Sequence, residues 1–536
     1  MHQFDNEAAR FGSAAFASEQ QIAEAGIFTK ADDALLIGFV GDRPIFYSGA
    51  GGMLCTAGAR GGKLATLLGY NLCHGFACNS TFVVLDMKGE LAAISQDQTP
   101  DEKFCIYWNP LGLHGLIQHR INPVDYIRAD SPSLVSDVKV FCENMITKSG
   151  SADNKYFEGR AREFLEGIIL TLVKLHGQLT LPLLYRTINL IPGNSDAWLD
   201  FAWEMNQSGF PLSVRIEEEI AKAHGEDGNA GGFKGIIGEI FHAFSSLSDP
   251  TLMNAVSPPF DFSFGDLCSS SRSYQVYLMP PAEFVQSWAP VLKAMFVAGM
   301  IYKSRSPQAP RQTWILDECA QLGGFPLVTK LFTYGAGIGI RPWAVFQATK
   351  QMRQIGADAE GIITSSASLR SYFATRDIES ATAVSRMLGV ETLEYNDELE
   401  QSGARLARRQ AAEALMFGAD PFAIGRQLKH QNLATAHRTK QQRMLRTPDE
   451  VLNTPPDKQY IFCDALQSAI YADRKPYYEQ EFMAGRYHSN PHHPPLDKVR
   501  VMTRRGGQWR RVVVSKVPRR FAHYPQYQNG LWSRVK

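Results

Sequence analysis

Cysteine is scarce here and scattered. The eight cysteines among 536 residues, at 55, 73, 78, 105, 142, 268, 319 and 463, include no C-x-x-C pair. That spacing argues against a disulfide framework or a zinc module and for a reducing compartment. Charge of one sign is lacking too. The net charge of +1 announces no global field toward nucleic acid or membrane. No apolar run reaches the roughly 18 residues of a membrane span. The best stretches, Gly167 to Leu175 and Val291 to Tyr302, are short and contain Lys174 and Lys293. The start, Met1-His2-Gln3-Phe4-Asp5-Asn6-Glu7, lacks the basic and apolar regions of a secretory signal. What remains is an ordinary globular composition, 44% hydrophobic and 20% charged. Its length exceeds the roughly 250–300 residues one core sustains, so more than one domain is expected.

Two apolar runs ending in acid carry most of the information. One is Phe82-Val83-Val84-Leu85-Asp86, followed by Met87-Lys88-Gly89-Glu90; the other is Trp314-Ile315-Leu316-Asp317-Glu318. A short apolar run stopped by a carboxylate predicts a buried parallel strand that delivers Asp to the sheet's carboxyl edge. Ligands of open α/β sheets bind there. Asp followed by Glu suits nucleotide hydrolysis, since Asp317 can hold Mg²⁺ while Glu318 orients the attacking water. Taken singly, each run reads equally as a strand capped by surface acids.

The upstream stretch decides between these readings. Gly52-Met53-Leu54-Cys55-Thr56 leads into Ala57-Gly58-Ala59-Arg60-Gly61-Gly62-Lys63-Leu64 and a helical-looking segment to Tyr70. Glycines let backbone N–H groups converge on phosphates, a lysine reaches the outer ones, and a helix N-terminus favours the anion. Against the pattern G-x-x-x-x-G-K-S/T, Ala57 replaces the first glycine and Leu64 the hydroxyl, while Gly62 and Lys63 match. ATP and Mg²⁺ are therefore the expected ligands. Ala57 through Leu64 and Asp86 are the expected binding positions, with Asp317, Glu318 and Gln347 as catalytic candidates. Gln347 closes the strand-like Trp343-Ala344-Val345-Phe346, where it could sense the outer phosphate or merely cap a strand.

The rhythm along the chain predicts an α/β nucleotide fold interrupted by a helical insert. Residues 1–135 form its first part, with strand-like segments running to Ile121-Asn122-Pro123-Val124-Asp125-Tyr126-Ile127. Residues 136–250 carry helical periodicity, as in Phe157, Ala161, Phe164, Leu165, Ile168, Ile169, Leu172 and Val173, with Gly177 as a stop. Residues 251–485 resume the α/β pattern, including a helix predicted to start with Pro290 at its first turn. Residues 486–536 form a basic tail.

Several stretches together resemble the TraG-type coupling proteins of type IV secretion, the conjugative DNA-transfer ATPases. They are Phe11-Gly12-Ser13-Ala14, Val83 through Glu90 (D-x-K-G-E), Asn122-Pro123-Val124-Asp125-Tyr126, and Leu316 through Gly323. Asp377 through Gly389 and Thr447-Pro448-Asp449-Glu450-Val451 complete the set. The likeness extends from about Gly12 to Tyr478. It implies an α/β, RecA/FtsK-like P-loop NTPase core with a mostly parallel sheet and an inserted all-α domain. It further implies a ring, expected to be a homo-hexamer, acting on single-stranded DNA or a relaxase–DNA complex with type IV secretion channel components. A chain of this kind without membrane helices would sit in the cytoplasm, peripheral to the inner face of the bacterial plasma membrane. The family's phosphate loop is closer to A-P-T-x-S-G-K-G, so Gly58, Ala59, Gly61 and Leu64 depart from it. Ring ATPases also need a cation from the neighbouring subunit, for which Arg341 and Arg370 are candidates.

The end of the chain is distinct. Between Asp497 and Lys536 stand eleven Lys and Arg against one acid, interleaved with Trp509, Phe521, Tyr524, Tyr527 and Trp532. This suits a polyanion whose bases can stack, and equally a solvated tail. The preceding His488, His492 and His493, among prolines, read as a linker. Three functions stay open: an ATP-driven DNA coupling motor, a slow or inactive nucleotide-binding adaptor that recruits cargo, and an FtsK/HerA-type DNA pump.

Overall fold

The computed structural model describes residues 11–535 apart from 74–76, 78, 97–102, 147–153, 194, 226–230, 270–271, 397, 418–437, 484–485, 493–497, 505, 525–526 and 528–529. Cys78 and His493 lie outside the described residues. Strands β1 (Leu35–Val40), β2 (Arg43–Tyr47), β3 (Met53–Ala57), β4 (Thr81–Leu85), β5 (Phe104–Trp108), β6 (Tyr274–Leu278), β7 (Gln312–Asp317), β8 (Ile340–Phe346) and β9 (Leu369–Phe373) belong to one sheet. A separate pair, β10 (Val390–Asn396) and β11 (Arg438–Met444), precedes β12 (Lys458–Cys463) and β13 (Ile470–Asp473), which return to that sheet.

The sheet has eleven strands in the order β2-β1-β13-β12-β9-β3-β8-β7-β4-β6-β5. From β9 to β5 every pairing is parallel. From β9 outward through β12, β13, β1 and β2 every pairing is antiparallel. The parallel half follows from its residues. All positions of β3, β4 and β8 are buried, and apart from Thr56, Thr81 and Arg341 they are apolar, as strands covered on both faces favour. β3, β8, β7 and β4 are consecutive neighbours, which brings the ends of three motif strands to one place.

Between β5 and β6 the described residues form helices and no strand, chiefly Leu134–Met145, Asn154–His176, Leu181–Ile188, Asp196–Asn206, Pro211–Gly225, Gly231–Phe244 and Pro250–Ala255. Gly177, at φ +77°, ends the longest of them, a left-handed stop that glycine adopts without penalty. Helix Leu134–Met145 packs on helix Val285–Arg305, and the insert's buried side chains join one face of the sheet in a continuous apolar cluster. The opposite face has its own cluster, built from β1, β3, the helix after β3 and the Tyr477 turn.

Three local expectations are corrected. Ile121 to Ile127 is not a strand; Ile121 makes a single bridge, to Phe262. The Asn122 amide donates to the Leu179 carbonyl and its oxygen accepts from Val124 N–H, while Pro123 has no N–H for a ladder. Pro290 does not open its helix, which begins at Val285. Burial of Trp288, Ala289, Val291 and Leu292 holds the helix through the proline's missing hydrogen bond. The third concerns the basic tail. It contains β14 (Lys498–Thr503), β15 (Gly506–Lys516) and β16 (Leu531–Val535), a three-stranded antiparallel sheet. Among the described residues no helix is long and apolar enough to cross a membrane.

Two of the stretches that carry the family resemblance are helix starts. The Asp377 side chain accepts from Ser380 N–H and caps helix Ile378–Leu388. Thr447 and Glu450 form a reciprocal capping box on Pro448–Leu452, two orphan donors satisfied at once.

Candidate functional site

The chain leaves β3 at Ala57 and turns through Gly58 to Gly62, with Arg60 at φ +59° and Gly62 at φ +77°. Gly58 is required by a close approach: a Cβ there would lie 2.2 Å from the Ala374 carbonyl oxygen. Lys63 then precedes a π-type turn, Leu64–Leu68, that runs into helix Gly69–Leu72. This is a glycine cradle at a strand-to-helix junction, the local geometry that the residues predict.

Lys63 reaches across β8 to the end of β7. Its Nζ donates to Asp317 Oδ1 at 2.6 Å and to Glu318 Oε1 at 3.0 Å. Gln347, just past β8, donates through Nε2 to the same Glu318 oxygen at 3.2 Å. Glu318 sits at φ +55°, an uncommon conformation for a residue with a side chain and one that marks functional sites. Asp86 follows β4 and is buried, its Oδ2 accepting from Ala92 N–H at 2.8 Å. Lys63, Leu64, Asp86, Lys88, Asp317 and Glu318 line one cleft. Of the expected nucleotide positions, then, Lys63, Leu64 and Asp86 meet the Asp-Glu pair, with Ala57 to Gly62 forming the turn beneath and Gln347 reaching in from the neighbouring strand.

The charges are strongly coupled. Burial disfavours the Lys63 cation, but the two carboxylates outweigh it and its pKa is raised. Asp317 is held above its ordinary value because burial exceeds what Lys63 returns. For Glu318 burial raises the pKa, but Lys63 and then Gln347 outweigh it and hold the carboxyl below its ordinary value. Asp86 is pushed up to about 7, first by burial and then by neighbouring Asp317 and Glu90.

The donor set fits Mg²⁺ carried on phosphates better than a protein cage. Among the described residues no three His, Cys, Asp or Glu side chains gather as metal ligands, whereas Mg²⁺ needs only one or two carboxylates beside phosphate and water. Leu64 supplies no hydroxyl. Thr66 does not replace it, since its Oγ1 donates to Gly62 O at 3.0 Å and accepts from Arg474 at 2.8 Å.

Arg474, which the sequence did not single out, braces the loop. It follows β13, is 4% exposed, and its guanidinium lies 3.6 Å from the Phe373 ring centroid. It donates to the Gly61 and Pro456 carbonyls and to Thr66, and burial lowers its pKa to about 10. No local pattern marks such a residue; it is 411 positions from Lys63 and meets the loop through the antiparallel half of the sheet. The strap after Tyr487 was also more than a linker. His488 N–H donates to Ile94 O, Asn490 to Glu90, and the His492 and His114 rings both to Lys88 O.

Of the two candidate trans-acting cations, Arg341 is corrected. Arg341 is wholly buried near the start of β8, donating to Thr313 Oγ1, Gly49 O and Asp33 O. Arg370 lies against the Phe462 ring with one N–H toward Met387 sulfur. Both stand toward the amino ends of their strands, away from the carboxyl edge.

Comparison with known proteins places this site in a family context. The family described as "Type IV secretory system Conjugative DNA transfer" matches residues 6–415. The Escherichia coli conjugal transfer protein TraG is 23% identical over 492 residues, covering 83% of this chain and 71% of TraG. The plasmid coupling protein TrwB, solved with a non-hydrolysable ATP analogue, superposes with a TM-score of 0.58 at 14% identity, covering 87% of this chain and 96% of that one. TrwB with ADP and Mg²⁺ gives 0.54 at 13% identity over the same shares. At such identities the solved chains establish a common fold.

Proposed function

This chain belongs to the type IV secretory system conjugative DNA transfer family, and from that premise we propose that it binds ATP with Mg²⁺ in the Lys63 cleft. The observation that carries the reading is the convergence of Lys63, Asp317, Glu318 and Gln347 from three neighbouring strands. The TrwB structures, which hold an ATP analogue or ADP with Mg²⁺, support it on a shared fold. Lys63 would leave its carboxylate partners to contact the outer phosphates, which frees Glu318 to accept from an attacking water. Asp317 would hold Mg²⁺, whose charge offsets that of the phosphates. Gln347, bonded to Glu318, would report whether the outer phosphate is present. The proposed assembly is a ring, a homo-hexamer, delivering single-stranded DNA or a relaxase–DNA complex to a secretion channel at the inner face of the plasma membrane. Residues 136–250 would form its helical domain toward the incoming cargo. The family match favours this reading over an FtsK/HerA-type pump.

The second reading, a slow or inactive adaptor, rests on Leu64 in place of the hydroxyl. ATP turnover with and without single-stranded DNA separates the two. In the motor, Glu318→Gln abolishes turnover and keeps ATP binding, because shape is retained while the water-orienting charge is lost. Bound ATP with no turnover in either protein selects the adaptor. No ATP binding at all rejects both.

A further inference from the structure

The nucleotide cleft holds two lysines, and only one of them is paired. Lys63 is bonded to Asp317 and Glu318. Lys88 lines the same cleft from the turn after β4, the strand that flanks β7 on the side away from β8 and β3. Its side chain is exposed, and among the described residues its ammonium has no hydrogen-bond, ion-pair or ring partner. Its charge nevertheless reaches the acids. Burial raises the pKa of Asp317 and of Glu318; Lys63 pulls both down first, and Lys88 adds a smaller pull in the same direction.

The Lys88 backbone, by contrast, is fixed by two other segments. Its carbonyl faces His114 Nε2 at 2.7 Å and His492 Nε2 at 3.3 Å. A carbonyl can only accept, so both rings donate from Nε2 and both oxygen lone pairs are used. The rings stand edge to face with centroids 5.0 Å apart. His114 belongs to the turn Leu113–Gly115 after β5, where it sits at φ +56°. His492 belongs to the strap whose Asn490 donates to Glu90 Oε2, beyond the family match that ends at residue 415. Residues 26 and 404 positions away thus converge on one carbonyl. A lysine on an ordinary surface turn needs no such bracing.

We infer that Lys88 is a second phosphate-contacting lysine, placed by His114 and His492 to meet the outermost phosphate of a bound nucleoside triphosphate. Strand order sets the direction. The glycine turn and Lys63 follow β3, the carboxylates end β7, and Lys88 stands one strand further on. A phosphate chain that starts at the glycine turn and runs toward Asp317 ends at Lys88. Lys63 must leave two carboxylates to bind phosphate, whereas the Lys88 ammonium breaks no ion pair to do so. The positive charge that phosphoryl transfer draws on then comes from within the chain, a role closed to Arg341 by Thr313, Gly49 and Asp33. The inference rests on the nucleotide reading and goes beyond it, giving the discrimination of ATP from ADP to one named side chain.

The test uses the full chain with Mg²⁺ and titrates fluorescent ATP and ADP analogues into wild type, Lys88→Gln, Lys88→Arg and His492→Ala, each with wild-type cooperative melting. Lys88→Gln should weaken ATP binding roughly tenfold, the size of one lost charge-assisted hydrogen bond, and ADP binding by less than about twofold. Lys88→Arg keeps charge and reach and should recover most of the ATP affinity. His492→Ala leaves the ammonium in place but loosens its backbone, so ATP affinity should fall by about threefold with ADP unchanged. Equal weakening of ATP and ADP by Lys88→Gln, or no weakening, overturns the inference. An unchanged ATP-to-ADP ratio in His492→Ala overturns the role given to the strap. Wild type that binds neither nucleotide overturns the nucleotide reading and this inference with it, whereas wild type that binds both alike overturns the inference alone.

Discussion

The cleft at Lys63 and the C-terminal sheet both concentrate charge, but in opposite ways. In the cleft one lysine, largely buried, is held by two carboxylates within 3.0 Å. Each group's ionisation depends on its neighbours, and no member can be removed without leaving another unmatched in a low-dielectric site. On the sheet and its first turn, Arg504, Arg510, Arg511 and Lys516 are exposed and screened by water and salt. Buried charge confers chemistry at one position; exposed charge confers additive affinity over an area.

The sharpest way to break this contrast is Lys63→Ala. It should lower ATP affinity at least tenfold, and it also leaves Asp317 enclosed beside Glu318 without a cation, so urea denaturation should report a loss of about 2–4 kcal/mol. Unchanged ATP titration would remove Lys63 from the phosphate site. Next in size is Arg474→Met, which keeps volume but strips the hydrogen bonds to Gly61, Thr66 and Pro456. It should destabilise by about 2–3 kcal/mol and weaken ATP binding with Lys63 intact. A stability loss with no change in ATP affinity would confine Arg474 to the fold.

A pH series sharpens the same comparison. Asp86 is pushed up to about 7 in the folded state from an ordinary value of 3.8, so the native protein holds a proton there that the unfolded chain releases. Its contribution to stability is present below pH 4 and lost as pH rises toward 7. Asp86→Asn should therefore gain on wild type across that window, at up to about 1.4 kcal/mol per pH unit. Parallel stability profiles would show that Asp86 titrates normally. The smallest effect is expected on the sheet. Arg510→Gln alone should shift oligonucleotide affinity by about twofold and the salt slope by less than 1, read by anisotropy. A tenfold loss would mean that this exposed charge acts as a buried one does.

Legibility in the sequence divides along the same line. β3, β4, β7 and β8 could be read because a strand buried on both faces is mostly apolar, and Asp86, Asp317 and Gln347 stand where those runs stop, with Lys63 at the helical turn that follows β3. The helical insert could be read because Phe164, Ile168 and Leu172 repeat at the helical period, and Gly177 ends their helix. The antiparallel half of the sheet could be read only in part, since strand-like segments ahead of the loop did not say that β1, β2, β12 and β13 would extend the same sheet. Arg341 looked like a free cation because sequence carries no record of Thr313, Gly49 and Asp33 closing around it. The tail could be read as basic and aromatic but not as a sheet, because alternation of valine with arginine is weak over strands this short and is broken by paired arginines.

The sequence by itself determined which residues could do chemistry and which segments would be strand or helix, because side-chain type and period act within a few neighbours along the chain. Tertiary structure alone decided which of them meet. The adjacency of β3, β8, β7 and β4 brings Lys63 to residues 254 and 255 positions away, and the return of β13 brings Arg474 under the loop. Those distances are settled by strand order and by the burial of two sheet faces, which depend on the whole chain at once.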